Sequence, residues 1–107
     1  MKLTVIATFR FEGFHRWPDA PPEVGFLANR HRHVFQVRLE KRVEHEDRDR
    51  EFILLARLGA DACARLHTTE PVETWSCEAW AARLVEILDV DACEVWEDGE
   101  NGARAER

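Results

Sequence analysis

Hydrophobic and polar residues alternate with a period of two from the start of the chain. Odd positions read Leu3, Val5, Ala7, Phe9 and Phe11, against Thr4, Ile6, Thr8 and Arg10 at even ones. Successive side chains of a strand point to opposite faces, so residues 3 to 11 are predicted to form a strand with one buried face. The alternation returns over about residues 31 to 43, where His31, His33, Phe35, Val37 and Leu39 oppose Arg32, Gln36, Arg38, Glu40 and Arg42. Between these strands, "RWPDAPPEVGFLAN" (residues 16 to 29) carries three of the four prolines and reads as an irregular loop with His15 at its entrance. The polar run "EHEDRDR" ends the second strand.

The period then changes. From Glu51 to Leu66, Phe52, Leu55, Ala56, Leu58, Ala62, Cys63 and Leu66 recur at three- and four-residue spacing, the stripe of an amphipathic helix, which Gly59 weakens by about 1 kcal/mol relative to alanine. "HTTEPVET" reads as a loop around Pro71. The second helix has the clearest start, with Ser76 as N-cap, Glu78 in the first turn and Trp75 placed to staple onto Trp80. Its predicted apolar stripe is Trp80, Leu84, Ile87 and Leu88. A strand from about Ala92 to Asp98 follows, closed by the turn signals Asp98-Gly99 and Asn101-Gly102. "ARAE" either pairs back as a short last strand or frays. Strands at both ends with helices grouped between them predict an α+β fold, order ββααββ, with an antiparallel four-stranded sheet and two helices on one face.

With 107 residues the chain fits one domain spanning residues 1–107. Apolar residues are 45% and charged ones 34%, and no run approaches the ~20 apolar residues of a membrane span. The alternating start does not resemble a signal peptide, so a cytoplasmic location is expected. Cys63, Cys77 and Cys93 are odd in number and lack CxxC spacing, which argues for reduced thiols over a disulfide framework or a cysteine zinc site. A net charge of -6 argues against a general nucleic-acid surface. Arg10, Arg16, Arg30 and Arg32 cluster near His15, His31 and His33, and read either as a small-anion site or as solvated partners of neighbouring acids.

The histidines are the candidate chemistry. Rings two apart on a strand share a face, so His31 and His33 can converge on one ion, with His15 arriving from the end of the adjacent strand. Three neutral imidazoles with an open fourth position suit catalytic zinc. An H-x-H pair is common, and ordinary hydrogen-bonded histidines are the competing reading.

The ordered set "FRFEGFHRW", "NRHRHVFQVRLE", "TWSCEAWAARLVEIL" and "CEVWEDGENGA" resembles the 6-pyruvoyl-tetrahydropterin synthase and 6-carboxy-tetrahydropterin synthase family over nearly the whole chain. The resemblance implies a tunnelling fold and a ring-like homo-oligomer with ligand pockets between subunits. It further implies zinc on His15, His31 and His33, and Glu97 as the carboxylate that anchors a pterin ring. A carboxylate suits that role because it accepts two parallel N–H bonds from the amino-amidine edge of a pterin or guanine. Without the resemblance, Glu97 reads as a surface acid beside a turn.

The chain also departs from that family. Its base cysteine precedes the first histidine of the pair by about four residues, where this sequence has Phe26 and Leu27. Its Asp-His pair after the first helix is reduced to His67, which reads as a loop or capping histidine. Cys77, in the first turn of the second helix where the dipole lowers a thiol pKa, is the substitute candidate, with Cys63 and Cys93 as buried apolar side chains. Trp17, Phe26 and Trp96 are candidates for stacking on a heterocycle, set against ordinary core packing. Two functions follow as expectations: a zinc-dependent pterin synthase or lyase, and a non-catalytic protein that captures a pterin, purine nucleotide or nucleotide signal. A structural oligomer whose metal only fixes a loop is the third.

Overall fold

The computed structural model describes residues 1–107. Its elements are β1 (Leu3–His15), β2 (His31–Val43), α1 (Phe52–Thr69), α2 (Cys77–Leu88), β3 (Ala92–Glu97) and β4 (Asn101–Glu106), the α+β order ββααββ. One antiparallel sheet runs β1-β2-β3-β4, with α1 over β1 and α2 over β3 and β4.

The period-two pattern sets the buried face. Ala7 of β1, Phe35, Val37 and Leu39 of β2, and Cys93 and Val95 of β3 meet Leu55, Ala62 and Cys63 of α1 and Trp80, Ala81, Leu84 and Val85 of α2 in one core cluster. Burying an aliphatic side chain of this size contributes about 1.5–3 kcal/mol. Gly59 belongs to this packing: a Cβ there would lie 2.4 Å from Phe9 Cε1, so the residue that weakens α1 as a helix lets it approach β1.

Several boundaries differ from the sequence expectation. β1 runs four residues beyond Phe11, because every residue from Leu3 to His15 pairs with β2, ending at His15 opposite His31. The proline-rich stretch contains two short 3-10 turns within Pro22–Ala28, kinked at Val24, since proline at the first helical positions presets the helical φ. α1 continues to Thr69 and takes in His67, and Val72–Thr74 form a further 3-10 turn. Phe52, Leu58 and Ile87, assigned to apolar stripes, lie outward at 55%, 49% and 44% exposure, because their helices meet the sheet along Leu55–Ala62–Cys63 and Trp80–Ala81–Leu84–Val85. The last strand starts at Asn101, so Asn101-Gly102 is strand and not turn. A Cβ on Gly102 would meet the Val95 carbonyl at 2.4 Å, which explains a glycine there. Residues 103–106 do not fray, and the Arg107 amide donates to the Asp91 carbonyl.

Both helix caps form. Ser76 Oγ accepts from the Ala79 amide at 3.1 Å, and the Trp75 and Trp80 rings stand 5.0 Å apart. At α1 the cap is Glu51, whose carboxylate accepts from the Ile53 and Leu54 amides. The β1–β2 ribbon is 13 residues long, whereas β3 pairs only with residues 35 to 40 of β2. The histidine end of the ribbon therefore projects past the end of β3, where the next turn can reach it.

Candidate metal centre

Register builds the site. His15 pairs with His31 and Gly13 with His33, so all three imidazoles lie on the helix-covered face beyond the core. Glu97, the last residue of β3, pairs with Phe35, which places its side chain diagonally beside His33 on the same face. One ligand atom from each of His15, His31, His33 and Glu97 lies within 4.8 Å of all the others. These are the three histidines expected to converge, joined by a carboxylate that the family resemblance offered as a ring anchor and the residues alone as a surface acid.

Two of the imidazoles also have an oxygen on their outer side. His31 Nδ1 is 2.7 Å from the Asn29 carbonyl, and that contact requires Nδ1–H. His33 Nδ1 is 2.6 Å from Asp98 Oδ2. Inward, His15 Nδ1 and His31 Nε2 are 3.3 Å apart, and His33 Nε2 is 2.8 Å from Glu97 Oε2. Despite that short distance, His33 Nε2 is buried and has no hydrogen-bond partner. With the proton on Nδ1, a lone pair faces a carboxylate oxygen, a contact that a cation between them would relieve. Burial, more than the neighbouring imidazoles, lowers the His15 pKa against the opposing pull of Glu97, and the neutral ring is the form that binds metal. Three imidazole nitrogens and a carboxylate oxygen suit zinc and other first-row divalent ions.

Cys77 departs from the helix-dipole expectation. Its Sγ lies 3.5 Å from Glu97 Oε1, and its pKa is pushed up to about 12 by burial, by the Glu97 charge and hydrogen bond, and by Glu78. The dipole of α2 is outweighed because the thiol is desolvated against a carboxylate. Cys63 and Cys93 are buried apolar side chains, with burial raising both to about 12. His67 stays outside the cluster. Its Nδ1 binds the Cys63 carbonyl at 2.7 Å within α1, and its ring packs edge-on against Phe11 and beside Trp80.

The nearby arginines are mostly paired with acids. Arg30 and Arg16 meet Glu73, and Arg32 meets Glu12, which matches the solvated-partner reading. A cavity of about 500 Å³ opens beside the cluster, lined by His15, Trp17, Trp75, Cys77, Glu97 and Asn101 among others. Of the three proposed stacking residues only Trp17 lines it. Trp96 faces the other side of the sheet, with its indole N–H on Glu94, and Phe26 is 69% exposed. The sequence reading missed Asp98 and Asn29 as outer partners of the rings. Asp98 alone carried a signal, a carboxylate at a turn, but nothing local said that the turn would fold back on β2. The chain matches no protein-family model and no curated protein.

Proposed function

We propose that this chain is a short tunnelling-fold protein similar to the 6-pyruvoyl- and 6-carboxy-tetrahydropterin synthases, with zinc on His15, His31 and His33 and a pterin or purine-type ligand in the adjoining cavity. One observation supports the metal part: three imidazoles, those of His31 and His33 with an oxygen behind the ring, turn nitrogens toward a common point that also receives Glu97. Zinc there would act as a Lewis acid on a ligand oxygen. The ligand part rests on the cavity, where Trp17 offers a flat apolar face and Glu97 a carboxylate for an amino-amidine edge. In the present conformation Glu97 Oε2 faces His33, so ring capture exchanges that contact for the N–H groups of the ligand.

A second reading, ligand capture without turnover, is favoured by the absence of a proton acceptor at the expected place. Leu27 lines the cavity where the family carries its base, and the one nearby thiol, Cys77, is held protonated. General-base catalysis typically contributes about 10²–10⁴ in rate, so turnover without it would be slow.

Metal analysis of purified protein tests the shared premise. About one zinc per chain is expected, reduced by His15→Ala; no bound metal in either protein overturns it. Incubation with dihydroneopterin triphosphate then separates the two readings, since product formation selects the synthase and retention without conversion selects capture. Glu97→Ala is expected to abolish ligand binding, and unchanged affinity removes Glu97 from the ligand site.

A further inference from the structure

We infer that Asp98 is a positioning residue for the metal centre, holding His33 in the Nδ1–H tautomer so that Nε2 presents its lone pair to the cation. This rests on the metal reading above and adds a residue that neither the sequence pattern nor the family resemblance assigns to the site.

Two carboxylates flank one ring. Asp98 Oδ2 is 2.6 Å from His33 Nδ1, and Glu97 Oε2 is 2.8 Å from His33 Nε2. A neutral imidazole has one proton to give. The contact with Asp98 is a hydrogen bond, whereas Nε2 makes none, which assigns the proton to Nδ1.

Asp98 is itself fixed from several directions. Its Oδ1 accepts from the Val34 amide at 2.9 Å, and its own amide donates to the Val34 carbonyl at 2.7 Å. Its backbone takes the left-handed conformation at φ 53°, followed by Gly99 at φ 70°. The Gly99 amide donates to Gln36 Oε1 at 2.8 Å. The β3–β4 turn is thus clamped onto β2 at Val34 and Gln36, on either side of Phe35, and the carboxylate cannot leave His33 without losing the Val34 amide as well. Such an outer hydrogen bond fixes ring orientation and raises ligand basicity, and its loss typically weakens metal binding about 10–100-fold.

Asp98→Asn separates positioning from folding. The amide oxygen can keep the Val34 N–H bond, and the amide NH₂ then faces Nδ1, which must become an acceptor and send the proton to Nε2. Nitrogen-15 spectra of the metal-free proteins at pH 8 are expected to show His33 as Nδ1–H in the wild type and Nε2–H in Asp98→Asn. Zinc titration is expected to show an affinity loss of about 10–100-fold in the variant. Zinc bound equally by both proteins overturns the role of Asp98 and leaves the metal reading standing, whereas no zinc bound by the wild type overturns both. Were the variant not to fold, the wild-type spectrum still decides, because a majority Nε2–H form overturns the inference.

Discussion

At the residue scale, Cys77 shows how one neighbour reverses a local rule. The first turn of a helix favours a thiolate, yet burial and the Glu97 carboxylate favour the neutral thiol and raise its pKa to about 12. The thiolate exists only as pH approaches that value. Alkylation of Cys77 in the native metal-free protein at pH 8 is therefore expected to be about 10³-fold slower than that of an ordinary cysteine, and to climb steadily toward pH 11. Glu97→Gln, which removes the charge, is expected to shift that rise to lower pH. A rate at pH 8 equal to that of a free thiol would contradict the burial and the carboxylate contact together.

At the element scale, the start of α1 makes folding sensitive to acid. Glu51 accepts from the Ile53 and Leu54 amides, each at 2.9 Å, and these bonds lower its pKa, with Arg57 adding a smaller pull. A carboxyl whose folded pKa lies below its unfolded value stabilises the fold at neutral pH and loses that contribution as pH falls through the folded pKa. Asp98, Glu40, Glu73 and Asp89 are depressed in the same direction by their backbone or arginine partners, so stability is expected to decline below the ordinary carboxylate range. Urea midpoints from pH 7 to pH 3 measure the decline, and Glu51→Gln should reduce its steepness. An unchanged slope would show that the capping bonds do not distinguish the two protonation states.

For the whole molecule, the surface is large for the chain. The radius of gyration is 14.9 Å, against about 13 Å for a compact domain of this length. The accessible surface is 7061 Å², against roughly 6,200 Å² for a typical monomer of this size. The excess reflects the long β1–β2 ribbon and outward apolar residues, of which Ile6, Phe52 and Ile53 lie together at the free edge of β1. Unpaired edges beside apolar surface favour pairing with another chain. We propose a homo-oligomer, and native mass spectrometry at micromolar concentration is expected to show more than one subunit. Phe52→Asp combined with Ile53→Asp should yield monomer with unchanged helical circular dichroism. A wild-type monomer at tens of micromolar would remove the oligomer and any site between subunits.

No helix is long and apolar enough to cross a membrane, in line with the absence of such a run in the sequence. By itself, the sequence determined the order of the elements and the face each strand presents, because strand and helix periods are written into nearest-neighbour spacing: the span of β2, the Ser76 cap and the shared side of His31 and His33 all follow from local pattern. What it left undetermined depends on contacts between residues far apart in the chain. That Phe52, Leu58 and Ile87 point outward, that Gly59 admits Phe9, and that the Cys77 thiol meets a carboxylate were decided only when the helices settled on the sheet. The candidate centre divides in the same way. Three of its groups were legible as a pattern of histidines, whereas Glu97 entered the cluster, and Asp98 came to rest behind His33, because the short β3 stops beside the histidine end of the ribbon and its turn folds back, a distance of more than sixty residues along the chain.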